Sequence, residues 1–105
     1  MFVTVTTADT TGETLGSATI VAEEMEGWLS QMEGFEGLLL LSNEERSVGL
    51  AFWTSREIAE HHAVARAEFR ERMLGIAGVR IEHVVDYEIA FARFGPRLLA
   101  AVADG

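Results

Sequence analysis

The chain has 105 residues, of which 49% are hydrophobic, and it carries a formal net charge of −9 and no cysteine. We expect one domain spanning residues 1–105, because a second hydrophobic core would need roughly another 100 residues. The negative charge repels phosphate backbones and argues against nucleic-acid binding. No apolar run reaches the roughly 18 residues of a membrane span, and no basic-then-apolar leader opens the chain. Together with the lack of cysteine, these features predict a cytoplasmic protein without a membrane partner.

The first half of the chain predicts a strand, a helix and a hairpin. Residues 2–7, FVTVTT, are β-branched in the manner of a short strand. Thr10 and Glu13 form a capping box, and the apolar residues after it recur every three or four positions as far as Met32. That spacing predicts an amphipathic helix. The segments FEGLLLLS (35–42) and SVGLAFW (47–53) flank the polar turn NEER and predict a hairpin of two apolar strands.

The second half of the chain predicts one more helix and one more strand. Thr54 and Glu57 repeat the capping-box pattern and open a helix that we expect to run to about Ile76. Residues 79–94 predict a last strand so long that it should contain a bulge, which we place near Asp86. The tail, 94–105, can begin a short helix at Pro96. The order βαββαβ predicts an α+β, ferredoxin-like fold, a four-stranded antiparallel sheet with two helices on one face.

The hairpin also predicts how the protein assembles. Both of its strands carry large apolar side chains at odd and even positions, so both faces of the sheet need to be covered. Two helices cover one face only. The simplest cover for the other face is a second copy of the chain, packed sheet to sheet around a two-fold axis. We therefore expect a homodimer built as a dimeric α/β barrel.

One sequence pattern resembles a known family. GFEGLLLL, followed by a turn and FWTSREIAEHH, is similar to the antibiotic biosynthesis monooxygenases of the dimeric α/β-barrel superfamily. In that family a Gly-Phe pair opens the second strand, and a Trp closes the third and precedes a His by nine positions. Trp53, Ser55, Glu57 and His62 match that spacing, and the likeness extends over residues 2–93. The resemblance implies the barrel fold and, in some relatives, oxidation of phenolic or polyketide-like compounds without a cofactor.

His62 is the first candidate for a chemical role. It lies four residues after Ile58 and three before Ala65, within the apolar stripe of the second predicted helix, so its ring should face the sheet. A histidine there can act as a general base near neutral pH. The alternative is a packing role, with the ring nitrogens bonded to a neighbouring element.

Aromatic and apolar side chains are the candidates for substrate binding. Trp53 ends a strand just before the helix that carries His62, and it would wall a pocket between sheet and helices or simply fill the core. The helix stripe and the last strand supply the other predicted substrate contacts, which are Phe69, Met73 and Phe91.

The last predicted strand carries three polar side chains on an otherwise apolar side. His83, Tyr87 and Arg93 occupy alternate positions with Val85 and Ile89, unless a bulge shifts the register. They could line a cavity and stabilise a substrate anion. Equally, they could bond to one another or to glutamates at the seam of a dimer.

Two classes of function remain open. The chain resembles a cofactor-independent monooxygenase that uses O2 on a small aromatic or phenolic compound, with His62 as base. The alternative is a noncatalytic homodimer of the same fold that binds a small ligand or acts as an interaction module. We expect no cofactor. Haem-degrading relatives typically have an Asn on the first strand and a Trp and a haem-ligating His on the second helix; here the first strand offers only Thr4 and Thr6, His62 occupies the Trp position, and Arg72 occupies the His position. We expect no metal either, since two of the three histidines are adjacent and diverge on a helix.

Overall fold

The computed structural model describes residues 1–9, 15–43, 45–77 and 80–103. Their helices and strands are β1 (Phe2–Asp9), α1 (Leu15–Leu29), β2 (Phe35–Ser42), β3 (Arg46–Trp53), α2 (Arg56–His61), α3 (Ala63–Ala77), β4 (Arg80–Glu88) and α4 (Pro96–Ala103). The strands form one sheet in the order β2-β3-β1-β4, and every neighbouring pair is antiparallel. This confirms the α+β, ferredoxin-like fold. In the described ranges, no helix is long and apolar enough to cross a membrane.

The hydrophobic core lies between the sheet and the helices. Phe2 and Trp53 are directly opposite each other on β1 and β3, so their side chains share one face of the sheet. Both are almost fully buried, and they pack against Leu29 of α1, Ala59 of α2 and Phe69 of α3. The helices that follow β1 and β3 therefore cover the same face, as the sequence predicts, and we call it the helix face.

The second predicted helix differs from the observed one at both its start and its middle. Its N-cap is Ser55, whose Oγ accepts a hydrogen bond from the backbone N–H of Ile58 at 3.2 Å, so the prediction of Thr54 as the cap was wrong. The segment is also not one helix, because His62 has a non-helical backbone (φ −95°, ψ 15°) that separates α2 from α3. The capping pair predicted at Thr10 and Glu13 lies outside the described residues.

The last strand is shorter than predicted, and its bulge lies elsewhere. Thr7 is opposite His83 while Ala8 is opposite Ile81, so the extra residue is Glu82 and not a residue near Asp86. The strand ends at Glu88, because its partner β1 begins at Phe2. One further backbone bond, from the N–H of Ile89 to the carbonyl of Met1, closes the ladder. Beyond it, residues 90–94 have no strand to pair with in the described part of the sheet.

The face of the sheet opposite the helices is apolar, and we call it the open face. Its members follow from the register, because residues directly opposite one another share a face. They include Val3, Val5, Leu39, Leu41, Val48, Leu50, Phe52, Val85 and Tyr87. Within this chain, Leu41 is 51% exposed and Tyr87 is 52% exposed.

Candidate functional site

The structure divides the predicted site residues between the two faces of the sheet. His83 and Tyr87 are opposite Thr7 and Val3, which places both on the open face. Phe91 and Arg93 follow the end of β4 and are exposed. His83 and Tyr87 are therefore not brought to the helix face, and Phe91 and Arg93 lie beyond the paired part of the strand. Their proposed roles stay predictions.

The other predicted residues lie on the helix face. The rings of Trp53 and His62 are 5.9 Å apart between centroids, with their planes tilted by 31°. Phe69 is buried and stacks on Trp28 of α1, with centroids 4.7 Å apart. The side chain of Met73 lies outside the described part of the chain. Trp53 and His62 are thus neighbours on the helix face.

His62 holds the junction between α2 and α3 against the loop that precedes β2. Its Nε2 lies 2.9 Å from the backbone carbonyl oxygen of Glu33. A carbonyl can only accept, so Nε2 carries the hydrogen and Nδ1 is the basic nitrogen of the neutral ring. This is the contact that the packing interpretation of His62 anticipates. It still leaves Nδ1 able to accept a proton.

Arg66, which the sequence analysis did not single out, lies next to Trp53 in the site. It is only 8% exposed, and its central guanidinium carbon lies 5.4 Å from the centroid of the Trp53 ring. Its Nη1 donates to the carbonyl of Ala59 at 2.9 Å, and its Nη2 donates to Thr4 Oγ1 and to Asp86 Oδ1, the latter at 3.3 Å. A guanidinium has five N–H groups. The Nε–H and the second Nη1–H therefore have no partner among the described residues.

Asp86 reaches this guanidinium from the sheet. It is opposite Thr4 in the ladder between β1 and β4, so both side chains lie on the helix face. Thr4 Oγ1 donates to Asp86 Oδ1 at 2.9 Å, and Oδ1 also accepts a hydrogen bond from Nη2 of Arg66. The second carboxylate oxygen, Oδ2, has no partner among the described residues, and the side chain is 47% exposed. The carboxylate is thus anchored by one oxygen and accessible at the other.

Trp53 carries the one buried polar side-chain atom of the described residues that lacks a hydrogen-bond partner. The residue is 0% exposed, and its indole Nε1–H has no acceptor among the residues that the structure describes. Such a group is rare, because leaving a buried donor unpaired costs about 1–3 kcal/mol. We refer to Trp53, Arg66, Thr4 and Asp86 as the Arg66 cluster. The N–H groups of Arg66 and Trp53 that have no partner among the described residues can donate to a ligand oxygen. The positive charge of Arg66 favours an oxygen that carries negative charge.

Sequence reasoning missed Arg66, although a signal for it existed. The residue comes four positions after His62 and three before Phe69, which places it on the stripe that faces the sheet. An arginine at such a position needs a buried partner. That partner, Asp86, is identified only once the register between β1 and β4 is known.

Comparison with known proteins establishes the fold. No known protein-family profile matches the sequence, and no curated protein matches it. Among solved structures, a Deinococcus radiodurans protein assigned to the antibiotic biosynthesis monooxygenases is 14% identical with a TM-score of 0.65, over 90% of this chain and 97% of that one. SnoaB, a cofactor-independent oxygenase from Streptomyces nogalater, is 17% identical with a TM-score of 0.60, over 90% and 96%. A Bacillus cereus protein assigned to the same monooxygenases is 22% identical with a TM-score of 0.54, over 90% and 96%. The chain has the fold of these structures.

Proposed function

We propose that the protein is a cofactor-independent monooxygenase that oxidises a small aromatic, phenol-bearing compound with O2. The fold is that of structures which include such an oxygenase. The observation that carries the proposal is the fully buried indole N–H of Trp53, which has no acceptor among the described residues and lies beside Arg66, two of whose N–H groups likewise have no partner there. This pairing of an apolar wall with a few polar donors is typical of a small-molecule site.

Oxidation of a phenol by O2 needs only a few contributions from the protein. An electron-rich phenol that has lost its proton can transfer an electron to O2, so binding, desolvation and deprotonation suffice. With an anthrone as substrate, the CH2 carbon becomes a carbonyl, one atom of O2 enters the product and the other leaves as water. Arg66 would hold the phenolate oxygen, and the indole of Trp53 would lie against the aromatic ring.

Two side chains next to these groups can accept the proton. The sequence prediction gives this role to His62, whose Nδ1 is the basic nitrogen in the observed arrangement. Asp86 is the second candidate, because its Oδ2 has no partner among the described residues.

We further propose that the working form is a homodimer packed through the open face. Large apolar side chains at that face, among them Leu39, Leu41, Val85 and Tyr87, are 39–52% exposed in the single chain. Contiguous apolar surface of this kind marks an interface in a protein that is otherwise strongly charged. His83, which shares the face with Tyr87, would then lie at or near the seam.

Aerobic turnover tests the catalytic part of the proposal. We expect O2 uptake with an anthrone or a hydroquinone, and a loss in kcat/KM on the order of 100-fold in Arg66→Lys, which cannot hold several acceptors at once. Arg46→Lys, at an exposed ion pair with Glu82, is the matched control and should leave the rate unchanged. Ligand binding without O2 uptake from any phenol would instead support the noncatalytic binding module of the same fold.

A further inference from the structure

We infer that the end of the chain docks on a second copy. Residues 90–103, which we call the C-terminal arm, leave the sheet at the end of β4 and pack in a groove of the partner's α1. The inference rests on the homodimer proposed above and does not depend on the oxygenase activity. It assigns a partner to a segment that the candidate site does not use.

The C-terminal arm is apolar and uncovered in the single chain. Phe91, Phe94, Leu98 and Leu99 are 49–85% exposed. α4 has eight residues, of which Arg97 is the only charged one. A helix of this length is marginal by itself in water, and a helix that is apolar on nearly all sides is normally buried. The arm therefore needs a surface to pack on.

α1 offers a surface of matching chemistry. A groove of about 400 Å3 is lined, among the described residues, by Glu23, Glu24, Gly27, Trp28 and Gln31. Both glutamates are exposed, and the tryptophan is half-buried. The groove thus combines negative charge with an aromatic surface.

The charge of the arm is complementary to that of the groove. The arm contains Arg93 and Arg97 and no acidic residue, whereas residues 1–89 carry ten more acidic than basic residues. Guanidinium groups pair with carboxylates and stack on aromatic rings. An arm with two arginines among apolar side chains is therefore suited to a groove with two glutamates and a tryptophan.

The strand register brings the arm of one copy close to α1 of the other. Glu88, Phe2, Trp53 and Phe35 form one row across the sheet, so β4 ends where β2 begins, at the same end of the sheet. β2 and β4 are its two edges. In a barrel with its two-fold axis parallel to the strands, β4 of one copy lies beside β2 of the other. The arm then starts next to the segment that joins the partner's α1 to its β2.

The length of the arm and the exposed area both allow this crossing. Residues 90–95 span up to about 20 Å when extended. Packed sheets are about 10 Å apart, and a helix on the far face adds roughly 10 Å. The single chain exposes 7228 Å2, about 1,400 Å2 more than a folded monomer of 11.5 kDa is expected to expose. A standard interface takes about 800 Å2 from each partner, so the excess covers the open face and leaves area for the arm.

Photo-cross-linking tests where the arm docks. The chain has no cysteine, so Leu98→Cys provides a single site for a benzophenone maleimide. The labelled protein is mixed with the unlabelled wild type grown on 15N, allowed to exchange subunits, and irradiated. We expect mass spectrometry to find the label attached to a 15N peptide within residues 23–31. Val64→Cys, at an exposed residue of α3, is the matched control and should attach there at least tenfold less.

Sedimentation velocity tests what the arm contributes to association. We expect Leu99→Asp to raise the dissociation constant of the dimer at least tenfold, because a carboxylate would enter an acidic and partly apolar groove. Val64→Asp is the control and should leave it unchanged. Both residues are exposed in the single chain, so neither substitution alters its core.

The outcomes separate the inference from the dimer proposal. A label that attaches only within its own chain, or to the partner outside residues 23–31, would overturn the inference. So would a dimer whose dissociation constant is unchanged in Leu99→Asp, and that result would leave the open-face dimer standing. A wild type that is monomeric at every concentration tested would overturn the dimer and the docking of the arm together.

Discussion

The guanidinium of Arg66 lies over the indole of Trp53, 5.4 Å from the ring centroid, while the indole N–H has no acceptor in the described part of the chain. A cation over an aromatic face is stabilised by about 0.5–2 kcal/mol, and more when water is excluded. Trp53 is fully buried and Arg66 nearly so, which places this contact in the stronger part of that range. The arginine is thus held in place by the ring and by three hydrogen bonds, and two of its N–H groups have no partner among the residues described.

The Arg66–Asp86 pair should be coupled more strongly than an exposed ion pair. In a double-mutant cycle with Arg66→Met and Asp86→Ala, we expect an interaction free energy of about 1–3 kcal/mol, because the arginine is buried and hydrogen-bonded. The pair of Arg46 and Glu82, 3.5 Å apart, is the control and should give less than about 1 kcal/mol, since the arginine side chain is 55% exposed. Urea unfolding of each cycle measures both values. Equal coupling in the two cycles would contradict the role given to burial.

Trp53→Phe should reduce ligand binding more than it reduces stability. The indole N–H makes no hydrogen bond to the described residues, so its removal loses no such bond in the folded protein. A ligand oxygen bonded to that N–H would lose it, which we expect to weaken 4-nitrophenol binding about tenfold. Calorimetric titration measures the affinity.

Trp28→Phe is the control for that experiment. It shortens the ring that stacks on Phe69, so stability should fall while the affinity for the phenol stays close to that of the wild type. If both substitutions weaken binding equally, the unpaired N–H of Trp53 is not the binding group.

Gly34→Ala should destabilise the protein by about 2–4 kcal/mol. Gly34 has φ +84°, where side chains other than glycine are strained, and a Cβ there would collide with Cγ2 of Ile58. Gly27→Ala is the matched control, because nothing lies within 4 Å of its Cβ position and it lies inside α1. That change should raise the free energy of unfolding by about 0.5–1 kcal/mol. Thermal and urea unfolding distinguish the two directions.

Leu39→Asp should prevent assembly through the open face. Leu39 is opposite Leu50 on that face and is 39% exposed in the single chain. Burying a carboxylate there without a partner is strongly unfavourable. Light scattering should give twice the 11.5 kDa of one chain for the wild type and a monomer or unfolded chain for the variant.

Val64→Asp, at a residue that is 75% exposed on α3, is the control and should remain a dimer. A wild type that is a stable, folded monomer at micromolar concentration would refute the dimer proposal.

The sequence predicted the order of the elements because apolar periodicity records which side of each element is buried. The apolar stripe through Ile58 and Ala65 predicted that His62 faces the sheet, and its ring lies 5.9 Å from that of Trp53. The break at His62 was not predictable, since the apolar stripe continues through it and the backbone changes at that residue alone. The end of β4 depends on where its partner strand β1 starts. The alternation of apolar and polar residues within β4 itself carries no information about that partner.

The site was harder to predict than the fold. His83 and Tyr87 alternate along the same side of β4, as expected, but only the register with β1 shows that this side faces away from Trp53. The same register brings Asp86 to the helix face, where it meets Arg66 from 20 residues away in the chain.

The ion pair between Arg66 and Asp86 also constrains how this sequence can evolve. Loss of the aspartate alone leaves a guanidinium that is 8% exposed without its counter-charge, and loss of the arginine alone leaves the carbonyl of Ala59 and the hydroxyl of Thr4 short of a donor. Homologues in which one of the two residues is replaced should therefore usually have the other replaced as well. Positions 66 and 86 are expected to covary among homologues, as a pair joining α3 to β4, whereas the exposed residues Arg46 and Glu82 should drift independently.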